Sequence, residues 1–456
     1  MIHEGDYADL PWDGAVERLR QALRFDTTGY MDTSRVKYDE FDRFHDFLRA
    51  SYPRVFEEGE CREIGHSLLI RLPGEDGSLK PGLLMAHQDV VPVVPGTQQN
   101  WKHGPFSGDL AEGYVWGRGA MDIKQMLMGI LEAAEYHLNH GRRLQRTLYL
   151  AFGEDEETRS VGARALSDLL KNEGVELEFV LDEGAGDVLD AADYGAPGTL
   201  ACTIGTYEKG YADMKLSVRS RGGHSSNPFH GTSLGILARA IAAIVDHPPQ
   251  AVLSGAARRA IEILRPHITE EPMRTWAQDM DAHREEILGW FKGKESLYHQ
   301  VQTTVAPTMI QGGSQAGNVM PQDMEAVINF RLAPPDTPQS LMDRCRSLVD
   351  DDVELSYVQE IGPSAPSLVD APAFLALNDV LTWYFDRLLF IPVQNKGATD
   401  ARWYEQICRC VMRFGPFLEE EAVSAEGVHG TNERISVKAY EQGVRVLTRF
   451  IEKMCL

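Results

Sequence analysis

The stretch LYLAFGEDEETRS, residues 148–160, joins an apolar run to a cluster of carboxylates. The apolar run, residues 148–152, has the length and composition of a strand buried on both faces, which is typical of a parallel sheet covered by helices. Four acidic residues follow almost directly: Glu154, Asp155, Glu156 and Glu157. Because adjacent like charges repel, this cluster indicates either a solvated turn or a place where a cation or a proton is handled.

Segments on either side repeat the pattern of a short apolar strand next to an amphipathic helix. PGLLMAH (residues 81–87) and LEFVL (residues 177–181) have strand character, whereas DIKQMLMGILEAAEYHLNH (residues 122–140) has apolar residues at helical spacing. This alternation predicts an α/β fold with a mainly parallel sheet and helices on both faces.

Near residue 205 the pattern changes to that of a smaller α+β unit. YADMKLSVRS (residues 211–220) alternates apolar and polar residues, and the segments that follow have the order β-α-β-β-α-β. The α/β pattern returns near residue 367. We therefore predict one domain made of residues 1–205 and 367–456, interrupted by an inserted α+β sandwich at residues 206–366, with an extra helical segment at about residues 249–300.

Composition narrows the class of protein. The net charge of -23 argues against binding to nucleic acids or anionic membranes, both of which need basic patches. The first residues lack the pattern of a signal peptide, and no apolar run is long enough to span a bilayer, so we expect a cytoplasmic protein without a membrane segment. The six cysteines contain no CxxC pair and are expected to be reduced and mostly buried.

Three of the predicted strands lead into side chains that can bind a metal. His87 ends one strand, Asp182 follows another, and the acidic cluster follows the third. Ligands bind beyond the carboxyl ends of the strands in open α/β sheets, so these groups are expected at one rim. Asp122, after the glycine-containing turn WGRGAM, can cap the helix that it opens and still project towards that rim. Each residue alone also fits a structural role, as a buried histidine, a helix cap or a solvated acid.

Together these side chains form a set of nitrogen and oxygen ligands without a thiolate. Such a set suits zinc, cobalt or manganese, and two ions fit if one carboxylate bridges them. A histidine that binds a metal usually donates its second N–H to a carboxylate. Asp89 lies on the same side of an extended strand as His87 and is placed to accept that bond.

The motifs AHQDVVPV, GYVWGRGAMDIK, EDEE and VLDEG, in this order and spacing, resemble the M20 metallopeptidase family. The stretch PVVPGTQQNWKHGPFSG is similar to the branch that contains Gly-Xaa carboxypeptidases and N-acyl amino acid amidohydrolases. Further motifs, RGGHSSNP, GNVMP, NFRLAP, KGATDAR and EGVHGTNE, extend the resemblance over nearly the whole chain. It implies that the interrupted domain is a di-metal catalytic domain and that the inserted one is a lid or dimerisation domain.

The resemblance implies a site for two Zn²⁺ ions, for which Co²⁺ or Mn²⁺ can substitute. In this site Glu156 is the general base that acts on a water bridging the ions, and Asp89 orients a ligand. The implied protein ligands, with Asp122 shared by both ions, are His87, Asp122, Glu157, Asp182 and His429.

The resemblance also implies residues that bind the substrate. His224 of GGHSS stabilises the oxyanion or holds the substrate carboxylate, and Asn318 with Arg331 binds the terminal carboxylate, for which an arginine fork is well suited. Gly397 and Thr399 of GATD line the same pocket. A surface acid is an alternative partner for Arg331.

Two features of the acidic cluster depart from the family pattern. The branch continues its acidic pair with a glycine-rich turn, whereas this chain has Thr158, Arg159 and Ser160. Glu154 stands where the branch often has histidine. Neither change removes a ligand, so both are expected to affect substrate preference more than chemistry.

The implied activity is zinc-dependent hydrolysis of the amide bond that precedes a C-terminal amino acid, in dipeptides, short peptides or N-acyl amino acids. An alternative within this class is an N-fatty-acyl amino acid hydrolase or synthase, with residues 249–300 as a candidate wall of an acyl channel. A non-catalytic protein that binds metal or peptide is the alternative from another class. A homodimer formed through the inserted domain is also expected.

Overall fold

The computed structural model describes residues 3–228, 231–395, 397–419 and 427–456; Lys396 and Glu426, in two of the motifs above, lie outside these ranges. In the described ranges the chain forms a large sheet, an inserted sheet and two small ones. The strands of the large sheet are β1 (Glu60–Ile64), β2 (Ser67–Leu72), β3 (Gly82–His87), β6 (Leu148–Gly153), β7 (Phe179–Asp182), β8 (Val188–Asp190), β9 (Leu200–Glu208), β16 (Leu389–Asn395) and β17 (Val411–Arg413).

The large sheet is mainly parallel, as the sequence predicts. Its order is β1-β2-β6-β3-β7-β17-β9-β16, with β8 paired to β9. The central strands β6, β3, β7 and β17 are parallel to one another, and so are β9 and β16. Antiparallel pairs occur at the β1–β2–β6 side and where β17 meets β9.

Helices cover both faces of this sheet. Along β3, Leu84 and Ala86 point into one core, whereas Leu83 and Met85 point into the other, as the alternation of side chains along a strand requires. The first core is filled mainly by α1 (Trp12–Ala22), α2 (Tyr38–Ser51), α3 (Pro53–Glu58), α4 (Lys124–Asn139), α12 (Pro372–Tyr384) and α13 (Val437–Cys455), and the second by α5 (Val161–Asn172).

The inserted domain has the predicted β-α-β-β-α-β order. Its antiparallel sheet has the order β12 (Thr304–Gly312), β14 (Asp323–Leu332), β10 (Gly210–Arg219) and β15 (Val353–Ile361). Two helices, α6 (Ser233–Asp246) and α11 (Pro338–Leu348), pack on one face of it. The two small sheets consist of β11 (Gly223–His224) with β13 (Val319–Met320), and of β4 (Asp109–Ala111), β5 (Tyr114–Trp116) and β18 (Arg434–Ser436).

The helical segment at about residues 249–300 packs on the main domain. Ile261 and Leu264 join a core with Ile391 and Val393 of β16. The segment comprises α7 (Gly255–Leu264), α8 (Met273–Trp276), α9 (Arg284–Lys292) and α10 (Tyr298–Val301). Although it lies inside the insertion in sequence, it covers the edge of the large sheet, because β16 would otherwise leave its apolar side chains in water.

None of the six cysteines, all of which lie in the described ranges, forms a disulfide, and all except the half-buried Cys61 are buried. Across the described residues, no helix is long and apolar enough to cross a membrane.

Candidate metal centre

Adjacent strand ends create the rim on which the candidate site lies. In the sheet β3 stands between β6 and β7, and all three run in the same direction. His87 is the last residue of β3 and pairs with Gly153, the last residue of β6. The side chains that follow these strands therefore converge, as expected from the sequence.

The first group of candidate ligands is His87, Asp122 and Glu183. His87 Nε2 lies 3.1 Å from Asp122 Oδ1 and 3.3 Å from Glu183 Oε1. The imidazole is buried, with 1% of its side chain exposed, so only the groups around it can satisfy that nitrogen.

The second group shares Asp122 with the first. His429 Nε2 lies 3.0 Å from Asp122 Oδ2 and 3.2 Å from Glu157 Oε2. One oxygen of Asp122 thus faces each histidine, which is the geometry of a carboxylate that bridges two ions. The ligand atoms within each group lie within 4.8 Å of one another. Glu157 Oε1 is buried and has no hydrogen-bond partner among the described residues, so the residues fit a divalent cation that would satisfy it.

In the structure Glu183, rather than the predicted ligand Asp182, lies beside His87. Asp182 is the last residue of β7, and its Oδ2 accepts a hydrogen bond from the backbone N–H of Ala401 at 2.9 Å. Glu183 follows the strand end and turns towards His87. The motif VLDEG contains two adjacent carboxylates, so the sequence offers either of them as a ligand. The direction in which each side chain points depends on where β7 ends.

Asp122 also differs from its predicted local role. Helix α4 begins at Lys124, and its N-cap residue is Ile123, so Asp122 precedes the helix and does not cap it. Its carboxylate is left to face the two histidines.

Asp89 contacts two parts of the site, but the nearer acceptor for His87 is its main-chain oxygen rather than the predicted carboxylate. Its carboxylate accepts the backbone N–H groups of Glu156 at 3.1 Å and Glu157 at 3.2 Å. His87 Nδ1 lies 2.9 Å from the main-chain oxygen of Asp89 and 3.4 Å from its carboxylate. Since Nδ1 donates to that carbonyl, the proton stays on Nδ1 and Nε2 is free to bind a metal.

The first two carboxylates of the acidic cluster have structural partners. Glu154 accepts a hydrogen bond from the backbone N–H of His66, in the turn between β1 and β2. Asp155 accepts from the N–H groups of Val161 at 3.1 Å and Gly162 at 2.8 Å, at the start of α5. They therefore satisfy backbone donors, which leaves Glu156 and Glu157 for the metal centre.

Thr158, Arg159 and Ser160, which depart from the family pattern, form a tight turn. The N–H groups of Thr158, Arg159 and Ser160 all point at the main-chain oxygen of Asp155, at 3.2, 2.9 and 2.8 Å. Ser160 has φ 51°, a left-handed conformation that leads directly into α5. Ser160 thus adopts a strained left-handed conformation that a glycine would adopt without strain.

The electrostatics of the group indicate a shortage of positive charge. Burial is the main cause that raises the pKa of Glu157 to about 7 and that of Glu183 to about 8. Burial, and then the Glu183 carboxylate, raise the pKa of Glu156 well above its usual range. Burial alone would lower the pKa of His87, but the carboxylates of Glu183 and Asp122 outweigh it and raise that pKa. Divalent cations would favour the ionised carboxylates and replace these protons.

The inserted domain carries three of the predicted substrate-binding residues. Paired strands β11 and β13 hold His224 near Asn318, whose main-chain oxygen accepts the N–H of Ser225 at 3.0 Å. Arg331, on β14, is exposed and lies 4.7 Å above the ring of Tyr211. Within the part of the chain that the structure describes, no hydrogen bond or ion pair joins these residues to the metal group.

The GATD loop has a different role from the one predicted for Thr399. Both the N–H and the hydroxyl of Thr399 donate to Glu208 Oε1 at 2.9 Å, so neither donor is free for a substrate. Glu208 is buried and also pairs with buried Arg413 at 2.6 Å. Gly397 is exposed, and its main-chain oxygen accepts from Asn395 at 3.1 Å. The structure therefore shows both donors of Thr399 bonded to Glu208, and the predicted substrate contacts of Thr399 and Gly397 stay predictions.

With this geometry, the motifs and fold agree with one family. The chain matches Peptidase family M20/M25/M40 over residues 83–453. It belongs to this family. The resemblance inferred from the motifs is thereby confirmed, and the chain is a hydrolytic enzyme of the M20 type.

Curated relatives match most of the length of this chain. A Dictyostelium discoideum protein named carboxypeptidase S-like 2 is 34% identical over 436 residues, covering 93% of this chain and 82% of the relative. The N-fatty-acyl-amino acid synthase/hydrolase of Xenopus tropicalis is 32% identical, covering 96% and 85%.

Solved structures share the fold of this M20 protein. An M20 family metallo-carboxypeptidase of Sulfolobus solfataricus has a TM-score of 0.61 at 18% identity, covering 96% of this chain and 98% of that one. Human carnosine dipeptidase 1 has a TM-score of 0.60 at 17% identity, covering 98% and 97%. At these identities the likeness shows the fold alone.

Proposed function

We propose that this protein is a zinc-dependent amide hydrolase that releases a C-terminal amino acid from short peptides or N-acyl amino acids. The observation that carries this proposal is Asp122, whose two oxygens each face a different histidine. Glu156 adjoins this set without belonging to either group of ligands. That combination supports two ions and one separate proton-transfer group.

The bound ions would supply Lewis-acid chemistry, polarising the scissile carbonyl and lowering the pKa of the attacking water. The backbone of Glu156 is held beside the ligand groups because its N–H is bonded to Asp89 at 3.1 Å. A carboxylate that does not itself bind the ions is free to accept a proton first and then give it back. In this proposal Glu156 takes the proton from the attacking water and delivers it to the departing amide nitrogen.

The free carboxylate of the leaving amino acid is the proposed recognition group. Arg331 is exposed and forms no ion pair with another described residue, so its guanidinium is available to a substrate carboxylate. This favours the substrate over a surface acid as its partner. Asn318 and His224 complete the proposed contacts from the inserted domain, and the second would also stabilise the developing oxyanion.

Productive binding then requires the inserted domain to close over the metal group. None of its three candidate residues touches the metal ligands among the described residues, yet they must contact the same substrate. The junction between β9 and β10, at Lys209, and the return near residue 362 are the places where such a motion would occur.

An N-acyl amino acid with an apolar acyl group is favoured by one further observation. A cavity of about 630 Å³ has Asp122 and Glu183 among its lining residues. Its apolar walls include Met121, Met126, Val188, Phe417 and Leu418. The segment at 249–300, once the candidate wall of an acyl channel, does not line this cavity. The cavity, rather than the segment at 249–300, therefore supports the N-fatty-acyl alternative.

Metal analysis combined with a substrate panel tests the proposal. We expect two zinc ions per chain, and loss of activity with a chelator that is reversed by Zn²⁺. The panel compares glycyl-leucine with N-acyl-leucines of increasing chain length, each alongside its leucine amide as the control without a carboxylate. Activity that survives metal removal, or equal rates on the amides, would contradict it. A kcat/KM that rises with acyl length would favour the second candidate.

We further propose a cytoplasmic homodimer formed through the inserted domain. The edge strand β12 supports this arrangement, because it is exposed over most of its length and contains no charged residue. Uncharged exposed edges are ready to pair with another strand.

A further inference from the structure

The carboxylate of Glu433 is completely buried and accepts four hydrogen bonds. Its Oε1 accepts the backbone N–H groups of Gly119 at 3.1 Å, Met121 at 2.8 Å and Asp122 at 3.1 Å. Its Oε2 accepts Nη1 of Arg118 at 2.6 Å. The whole turn that presents Asp122 is therefore fastened to one side chain.

Arg118, the partner of Glu433, also contacts the backbone next to His429 of the second ligand group. Arg118 is 2% exposed, and its Nη2 donates to the main-chain oxygen of Gly430 at 2.9 Å. Gly430 directly follows His429. Through Arg118, the buried carboxylate of Glu433 thus connects the backbone of Asp122 with the backbone beside His429.

We infer that Glu433 is a positioning residue for the ion held by Asp122, Glu157 and His429. This inference rests on the metal site of the proposed function. Two of that ion's three protein ligands depend on the Glu433–Arg118 pair, whereas His87 and Glu183 are held at the ends of β3 and β7. Partners of this kind, which fix the ligands but do not touch the metal, typically change affinity by about 10–100-fold when they are altered.

The hydrogen-bond pattern explains why only a carboxylate fits here. Both oxygens of Glu433 face donors, three backbone N–H groups on one side and a guanidinium on the other. A glutamine amide has an oxygen that accepts and an NH₂ group that donates. The NH₂ group would have to face either the backbone N–H groups or the guanidinium, and both of these are donors. Glu433→Gln keeps the size of the side chain but removes this compatibility and the negative charge that pairs with Arg118.

The test measures Zn²⁺ binding to the full-length protein by competition with a chromogenic chelator, without substrate. His87→Ala and His429→Ala first identify which of the two dissociation constants belongs to which group. Glu433→Gln is expected to weaken the ion of the His429 group by about 10–100-fold and the ion of the His87 group by less. Unchanged constants in a folded Glu433→Gln protein would overturn the inference.

Glu132→Gln is the matched control. Glu132 is also a buried carboxylate, with 3% of its side chain exposed, and it accepts two hydrogen bonds from Arg18 at 2.6 Å. Its partners are unconnected with the turn at Asp122, so this variant should lower stability and leave both constants unchanged. Equal weakening in both variants would mean a general structural effect and would overturn the inference.

A second variant covers the case in which Glu433→Gln does not fold. Arg118→Lys keeps the charge beside Glu433 but cannot also reach Gly430, so it should weaken the ion of the His429 group alone. A folded Arg118→Lys protein with wild-type constants would then overturn the inference. Wild-type protein that binds fewer than two ions would instead overturn the proposed function and, with it, this inference.

Discussion

Adjacent residues of the acidic cluster are distinguished by what each carboxylate touches. Glu154 and Asp155 accept backbone N–H groups, whereas Glu157 faces His429. The like-charge repulsion in this run is reduced because only part of the charge points into the metal centre. Carboxylates at four consecutive positions are thus proposed to have three different roles: accepting backbone N–H groups, transferring a proton and binding a metal.

Glu156 is predicted to be required for turnover but not for metal binding. Glu156→Gln should lower kcat by at least about 100-fold, since general bases contribute about 10²–10⁴-fold, and should retain both ions. Steady-state kinetics and metal analysis on the same preparation check this. Glu154→Gln, two residues earlier, is the control and should retain its rate because Glu154 bonds to His66. Loss of metal from Glu156→Gln would contradict the assignment.

The position of Glu183 beside His87, in place of the predicted ligand Asp182, also gives a prediction at this scale. Glu183→Gln should lose the ion shared with His87, because it removes an anionic ligand 3.3 Å from Nε2. Asp182→Asn should keep both ions, since an asparagine oxygen can still accept the N–H of Ala401. Metal stoichiometry after gel filtration distinguishes the two. The reverse outcome would restore the ligand predicted from sequence.

At the scale of elements, the junction between β9 and β10 joins the two domains. Lys209 lies there, donates to the main-chain oxygen of Gln302 at 2.7 Å, and has a pKa lowered to about 7. Burial is the main cause, and the guanidinium of Arg331 adds to it. A positive charge is therefore disfavoured beside the arginine proposed to bind the substrate carboxylate.

Lys209 should make stability depend on pH. The unfolded chain keeps this proton up to its ordinary pKa of 10.5, whereas the folded protein releases it near 7. The folded state is thus penalised fully below pH 7, and the penalty fades as the pH rises towards 10.5. Lys209→Met should be stabilised most relative to wild type at pH 6.5 and progressively less at pH 8 and 9.5.

Urea unfolding at the three pH values measures this difference. Lys215→Met is the control on β10, where the lysine forms a surface pair with Glu325 at 2.8 Å. Its difference from wild type should be small at every pH, as is usual for exposed pairs. A constant difference for Lys209→Met across the range would contradict the assignment of the penalty to Lys209.

At the scale of the whole molecule, the two edges of the inserted sheet differ. Edge strand β12 has exposed Met309 and Ile310, 53% and 59% exposed, and no charge. The opposite edge, β15, carries Glu354 and Glu360, which discourage pairing with another chain. The asymmetry favours β12 as the place where two copies meet.

Ile310→Lys is predicted to convert a dimer to a monomer. Light scattering should give a mass near twice 50.9 kDa for the wild type and near 50.9 kDa for the variant, because a lysine on the edge opposes pairing. Val358→Lys on β15, at a site that is 64% exposed, is the control and should stay dimeric. A monomeric wild type would contradict the proposed assembly.

Much of the fold was predictable because its signals are local. Period-two and helical patterns of apolar residues recur within 10–20 positions, and the change near residue 205 separates the two domains. Strand ends such as His87 and the acidic cluster could be placed on one rim because parallel strands share an edge. The motifs that resemble the M20 family supplied the remaining candidate ligands.

Only the tertiary structure shows which of several suitable side chains lies in position for each proposed role. The choice of Glu183 over Asp182 depends on the direction in which the chain leaves β7. Glu208 uses both donors of Thr399 although it lies 191 residues away in sequence. The sequence by itself determined the family, the order of elements and the types of ligand, since these depend on local pattern and motif. Side-chain direction and long-range contact, which fix Glu433 on the turn at Asp122, depend on the packed chain.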